Sequence, residues 1–392
     1  MGKNFTNENI SWGRQMIKTL KIENLKPGMI VGKDIYSSSF DRLIAKENSV
    51  LTTQGINRLI RYYVREISVK FPEEIKNENE DKRWKADLKR EVVDEETQTT
   101  NQTSAEKMKQ SDSFKQFYKT FNESLKVTEK VMDDIAFRAA EINSTLIDTM
   151  IDRVVNVSNN GIFIFDMLHC MRELDDLTYA HSMSVALICK VFGEWLHLPK
   201  AEVDALKMAG FFHDIGKVKV PREILCKKDK LTQSEYEIVK KHTEFGYDIL
   251  KNKNIDERVI MAALMHHEKC DGSGYPNHLE RDQIDEFAKI VAIADSYEAM
   301  TANRCYREAL CPFTVIEEFE LNALQHYEPK YILPLMEMIA QSYIGNNVVL
   351  TNDVVGEVIM LNKHNLARPI VRTAADYIDL SREKSLKIKQ VI

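Results

Sequence analysis

Between Phe114 and about Ile344 apolar positions recur mostly every 3.6 residues and prolines are few, which predicts a helical domain over that span. In "TYAHSMSVALICKVFGEWLHL", His181, Val185, Ile188, Phe192 and Trp195 follow i, i+4, i+7, i+11 and i+14, so His181 shares a stripe with core residues. In "PKAEVDALKMAGFFHDIGK", Pro199 suits a first turn, and Val203, Leu206, Gly210 and His213 form the inward stripe. Asp214 flanks that stripe and Gly216 is placed to close the helix. "LTQSEYEIVKKHTEFGYDIL" opens on a capping box, Thr232 with Glu235, and carries His242 about two and a half turns on. In "DERVIMAALMHHEK", Val259, Ala263 and His266 share one face, and Ile260, Leu264 and His267 share its neighbour. "FAKIVAIADSYEAM" is almost wholly apolar around Asp295, with Val291 one turn before it.

The pattern differs on either side. Residues 17–70 alternate short apolar stretches with turn signals: Lys26-Pro27-Gly28 reads as a turn, Met29 to Ile35 as a strand, Thr53 to Tyr63 as a short helix, with a last strand near Ile67. The tail from Asn347 has β-branched runs broken by Asn352-Asp353 and Gly356. Between the first module and the helical domain the chain is rich in charge, Gln, Asn and Thr, a linker or a solvated helix. The expected division is a small α+β module at 1–73, a charged linker at 74–113, a helical domain at 114–345 and a β appendage packed on it at 346–392. The fold class is mainly α. Phe117, Phe121, Leu125, Val131 and Ile135 are read as the domain's first core helix, with a homodimerising helix as the alternative.

Composition narrows the function. Of 392 residues 44% are hydrophobic and 29% charged, an ordinary globular balance, and no apolar run approaches the roughly 18 residues of a membrane span. The first twenty residues lack the apolar region of a signal peptide, which predicts a cytoplasmic protein without a membrane partner. With 54 basic and 60 acidic side chains the formal net charge is −6, so nothing general draws the protein to nucleic acid and a phosphate-bearing ligand needs local cations. Six cysteines show no CxxC spacing, which suggests neither disulfides nor a thiolate metal site.

The chemistry lies in the histidines. One inward helical histidine is ordinarily a hydrogen-bonded core residue, and one inward aspartate is ordinarily paired or capping. Five inward histidines (His181, His213, His242, His266, His267) and two inward aspartates (Asp214, Asp295) on separate helices need a common compensator, since each is costly to bury alone. A divalent metal supplies it. Imidazole and carboxylate without thiolate suit Fe, Mn, Zn or Co rather than Ca or Mg. An Asp next to a His can bridge two ions, and two ions about 3.5–4 Å apart can activate a shared water and clamp a phosphoryl oxygen.

With "HDIGKVKVPREIL", "KLTQSEYEIVKKHTEFG", "HHEKCDGSGYP" and "ADSYEAMTANRCYREA" in this order, the sequence resembles the HD-GYP family of helical cyclic di-GMP phosphodiesterases over roughly residues 140–345. The resemblance implies two divalent ions, Fe or Mn before Zn, Co or Ni. One would lie among His181, His213, Asp214 and Asp295, the other among Asp214, His242, His266 and His267, with Asp214 bridging. It implies catalytic roles for Asp214 and Lys217 and substrate contacts from Lys217, Arg304, Arg307 and Tyr275. Gly272, Gly274 and Pro276 would stiffen the loop that carries Tyr275, a segment linked in the family to GGDEF-type and other signalling partners. Glu268 and Asp271 are read either as hydrogen-bond partners of the ligand histidines or as exposed loop acids. Three features depart from the family: Leu177 stands where some members carry a third-metal glutamate, Cys305 replaces a proline, and Lys227-Lys228-Asp229 replaces a lysine-proline-glycine. The implied reaction is hydrolysis of cyclic di-GMP to linear pGpG, with a further cut to GMP left open. The alternatives are a weakly active or inactive cyclic-dinucleotide receptor or interaction module, and a phosphodiesterase for another cyclic dinucleotide.

Overall fold

The computed structural model describes residues 16–21, 25–26, 28–36, 43–51, 55–56, 59, 66–71, 104–157, 163–171, 177–227, 229–302 and 309–392. The chain divides into two compact units, residues 1–101 and 102–392.

In the first unit, strands β1 (Met16–Lys21), β2 (Ile30–Val31) and β5 (Glu66–Phe71) form an antiparallel sheet in the order β1-β5-β2. Strands β3 (Ile35–Tyr36) and β4 (Leu43–Ala45) pair separately. The apolar faces of these strands meet over Leu25, Val31, Leu51, Leu59, Ile67 and Val69. The single strand expected from Met29 to Ile35 is therefore two. Gly32 donates its N–H to Ser68 O at 2.6 Å while Asp34 Oδ1 accepts from Glu47 N at 2.6 Å, so the backbone leaves one ladder at Gly32 and joins another at Ile35. The expected turn is present: Gly28 takes φ +92° and Met29 N donates to Lys26 O. Of the helix expected from Thr53, residues 55, 56 and 59 are helical and the remainder lies outside the described residues.

The second unit is helical with a terminal sheet. Helix α1 (Ser104–Gln110) falls within the charged stretch, and α2 (Asp112–Arg138) follows, its first turn capped where Ser111 Oγ accepts from Phe114 N at 3.1 Å. Phe114, Phe117, Phe121, Met132 and Ile135 on α2 are buried in the main core, each contributing roughly 1.5–3 kcal/mol by leaving water. Helices α3 (Ser144–Asn156), α4 (Ile164–Cys170), α5 (Leu177–Trp195) and α6 (Lys200–Phe212) follow. Residues 181–193 of α5 are buried on every side, so α5 is the axis of the domain.

A 3-10 turn (Ile215–Lys219), the one-turn α7 (Arg222–Leu225), α8 (Gln233–Lys240), α9 (His242–Leu250) and α10 (Glu257–Met265) come next. Helices α11 (Glu286–Thr301), α12 (Pro312–Glu318) and α13 (Pro329–Ser342) complete the bundle. The tail forms a five-stranded antiparallel sheet in the order β10-β6-β7-β8-β9, with β6 (Asn347–Leu350), β7 (Val355–Asn362), β8 (Asn365–Thr373), β9 (Tyr377–Asp379) and β10 (Ile388–Val391). Val348, Leu350, Val358 and Val371 are fully buried and join the core of the helices. The unit is mainly α with a small C-terminal sheet, as the periodicity predicts.

One charge network lies inside the bundle. Lys207 on α6 is fully buried, and its ammonium meets Asp148 and Asp152 of α3 and Asp204 at 3.1, 3.0 and 2.9 Å. Three carboxylates outweigh the desolvation of that ammonium, so its pKa is raised even though burial alone would lower it. Among the described residues no helix is long and apolar enough to cross a membrane.

Candidate metal centre

Five α-helices and the 3-10 turn bring the seven predicted ligands to two adjoining clusters. His181 comes from the first turns of α5, and Asp295 from the middle of α11. His213 caps the C-terminus of α6 and Asp214 opens the 3-10 turn, so the last helical residue, Phe212, lies four residues before Gly216 and the glycine does not close the helix. Gly216 has a different task. A Cβ on it would lie 1.9 Å from His242 O and 2.5 Å from Gly246 N, so only glycine lets the turn meet the start of α9 and set His242 beside Asp214. The Thr232–Glu235 capping box is present, but the helix is interrupted at Lys241, and His242 begins a second helix instead of lying deep in one. His266 caps α10, and His267 follows it.

Distances define the clusters. The ligand atoms of Asp214, His242, His266 and His267 lie within 4.8 Å of one another, and so do those of His181, His213 and Asp295. Asp214 joins the two. Its Oδ2 lies 3.3 Å from His181 Nε2 and 3.4 Å from His213 Nε2, while its Oδ1 lies 3.3 Å from His242 Nε2 and 3.7 Å from His266 Nε2. Asp295 Oδ1 is 3.0 Å from His181 Nε2 and 3.9 Å from His213 Nε2.

The tautomers follow from the backbone. A carbonyl only accepts, so His213 Nδ1–H donates to Gly210 O at 2.7 Å, His242 Nδ1–H to Val239 O at 2.7 Å and His266 Nδ1–H to Ala262 O at 3.0 Å. Burial lowers the pKa of His213 and of His267, and pushes that of His242 down to about 3. A neutral ring whose Nδ1 carries the proton presents a lone pair at Nε2. Those lone pairs face one another, His242 Nε2 to His266 Nε2 at 3.2 Å, and face Asp214 Oδ1, a buried oxygen with no hydrogen-bond donor. Burial pushes the Asp214 carboxyl up, but the Lys217 ammonium on it outweighs this and holds it well below the usual range. Electron pairs from imidazole and carboxylate converging in a dry site are the donor set of a divalent cation, so the residues fit the metal that their types imply.

Around the clusters, Lys217 places its ammonium on Asp214 Oδ2. Tyr275 stacks on His267, ring centroids 4.7 Å apart at 27°, and donates its backbone N–H to His267 O at 3.2 Å. Arg304 and Arg307 lie outside the described residues, and so does Cys305. Glu268 is neither a histidine partner nor an exposed acid: it is buried, and its carboxylate accepts from Asn277 N at 2.7 Å and Leu279 N at 3.0 Å, pinning the far end of the loop. Asp271 turns the loop locally by accepting from Ser273 N and Oγ at 3.1 and 2.7 Å. The stiffness expected of the loop has a steric origin at Gly274, where a Cβ would meet the backbone of 267–269 at 2.5 Å. A further residue escaped the sequence reading. Glu298 on α11 accepts from His181 Nδ1, and its signal was its position one turn after Asp295 on an apolar helix.

Residues 169–331 match the family model described as HD domain. This part of the chain is an HD domain. The domain is similar to the 3'3'-cGAMP-specific phosphodiesterase 2 of Vibrio cholerae, 37% identical over 179 residues that cover 44% of this chain and 34% of that protein. It is also similar to the cyclic di-GMP phosphodiesterase of Thermotoga maritima, 32% identical over 182 residues that cover 45% of this chain and 50% of that protein. The chain thus spans between a third and a half of the length of these relatives. Among solved structures, an HDG"Y"P protein from Bdellovibrio bacteriovorus aligns with a TM-score of 0.47 and 14% identity, covering 83% of this chain and 99% of that one. The HD dipeptide is His213-Asp214, the pair at the junction of the two clusters.

Proposed function

We propose that this protein is a two-metal phosphodiesterase that hydrolyses cyclic di-GMP to linear pGpG. One observation carries the reading: Nε2 lone pairs from four histidines surround the two oxygens of Asp214, two at each oxygen. Each cluster would hold a cation, with Asp214 common to both, and Fe or Mn would suit these donors best. Two cations held there supply positive charge against phosphoryl oxygens and acidify a water nucleophile.

The protein's own residues do the rest. Backbone carbonyls keep Nδ1 protonated on three of the rings and so aim Nε2 inward. Lys217 fixes the Asp214 carboxylate, and its side chain, about a quarter exposed, is a cation beside the centre for a phosphate oxygen. Tyr275 covers one side of His267 and offers its ring as a wall for a bound base. Arg304 and Arg307 are proposed as further phosphate contacts on the sequence resemblance alone.

The Vibrio cholerae relative named as 3'3'-cGAMP-specific favours a second reading of the substrate, a mixed guanine–adenine cyclic dinucleotide. Turnover of cyclic di-GMP and cyclic GMP-AMP by one Mn-loaded preparation, followed by chromatography of the products, separates the two. The first reading expects pGpG formed faster than the mixed linear product, and the reverse order selects the second.

A further inference from the structure

His213, His242 and His266 hand their Nδ1 protons to neutral backbone carbonyls. His181 differs: its Nδ1 proton meets the carboxylate of Glu298. Glu298 follows Asp295 by three residues on α11, and Asp295 Oδ1 faces the other nitrogen of the same ring at 3.0 Å. One helix therefore grips His181 at both nitrogens, with both carboxylate side chains only 12% exposed. A carboxylate draws the Nδ1 proton more strongly than a carbonyl does and makes Nε2 a better electron donor. The two half-sites also differ in what they own. The half with His242, His266 and His267 has three imidazoles beside Asp214, and the half with His181, His213 and Asp295 has two.

We infer that Glu298 is a positioning residue that sustains cation affinity in the half-site of His181, His213 and Asp295, acting through the His181 ring. This rests on the two-metal reading above. Without the Glu298 charge, the His181 half releases its ion first while the His242 half keeps its own.

The test is Mn(II) binding by the full chain, measured by metal content after dialysis against a graded chelator, with the electron paramagnetic resonance of the Mn pair as second readout. Wild type is expected to hold two ions. Glu298→Ala is expected to weaken one of them by about 10–100-fold, losing the spin-coupled signal, and to leave the other unchanged. Glu298→Gln, which keeps an acceptor but not the charge, is expected to fall between. Equal thermal melting of the metal-free forms identifies the loss as local. Variants that bind both ions like wild type, or lose both in parallel, overturn the role of Glu298 while leaving the two-metal reading intact. A wild type that binds no Mn overturns both.

Discussion

Replacing Gly216 with alanine is the sharpest test of how the fold positions the centre. The added Cβ would lie 1.9 Å from His242 O and 2.5 Å from Gly246 N, both backbone atoms without a rotamer to escape into. Relief requires the turn and α9 to separate by roughly 1 Å, and overpacking of this kind costs about 1–3 kcal/mol. The consequence at the site is larger. The His242 ring is tied to Val239 O at the α8–α9 junction, so movement of that junction changes the 3.3 Å gap between His242 Nε2 and Asp214 Oδ1. A displacement near 1 Å commonly lowers turnover by about 100-fold. Gly246→Ala is the control, because its Cβ would make only ordinary contact, 3.4 Å from Ala263 Cβ. Urea denaturation of the metal-free proteins and Mn binding by the loaded ones measure the two effects separately. Gly216→Ala with the stability and Mn affinity of wild type would refute the packing argument, and so would an equal effect from Gly246→Ala.

Other consequences are as direct. Lys207→Met leaves Asp148, Asp152 and Asp204 facing one another without their cation; we expect a loss of roughly 2–4 kcal/mol in urea unfolding, slightly below the ~3–5 for a fully buried pair because the aspartates stay about a third exposed. Glu268→Gln retains one acceptor for two N–H donors, so amide exchange at Asn277 and Leu279 accelerates by an amount equivalent to about 1–2 kcal/mol while Mn stoichiometry stays at the wild-type value. Glu235, held by Lys227 and the Thr232 cap, has its pKa lowered to about 2 from 4.5; its contribution is complete above pH 4.5 and drains as pH falls toward 2. Glu235→Gln is therefore expected to lose less stability than wild type between pH 7 and pH 3.5, read from urea midpoints at the two values. Divalent cations raise the melting temperature and chelation lowers it, since ions that bind only the folded state at 100 times Kd add about 2.7 kcal/mol per site.

Much of this was legible before the structure because helix periodicity reports direction. A histidine in register with Val185, Ile188 and Phe192 must face the core, and an aspartate inside "VAIADSY" has no polar face to retreat to. What periodicity does not report is distance between helices. The proximity of Gly216 to α9, the break at Lys241 and the meeting of Lys207 with two aspartates on α3 are tertiary facts with no local signature. Glu268 was misread for a related reason: its partners are backbone N–H groups nine and eleven residues away, which a side-chain inventory does not contain. Glu298 leaves a trace in the sequence, one helical turn beyond Asp295, but a histidine needs only one nitrogen for a metal, so its type and spacing do not mark it as a ligand. The expected Met29–Ile35 strand divides at Gly32-Lys33-Asp34, where the backbone changes ladders, because which neighbour a strand pairs with is not encoded in its own alternation.

The central claim is that Asp214 bridges two cations for hydrolysis of a cyclic dinucleotide. The wild-type chain and Asp214→Ala, each loaded with Mn or Fe and assayed for metal content, should be incubated with cyclic di-GMP and the products resolved by chromatography. The account predicts two ions and steady formation of pGpG by wild type, and loss of both in the variant. Wild type that holds two ions yet leaves cyclic di-GMP and cyclic GMP-AMP intact, or an Asp214→Ala protein as active as wild type, would contradict it.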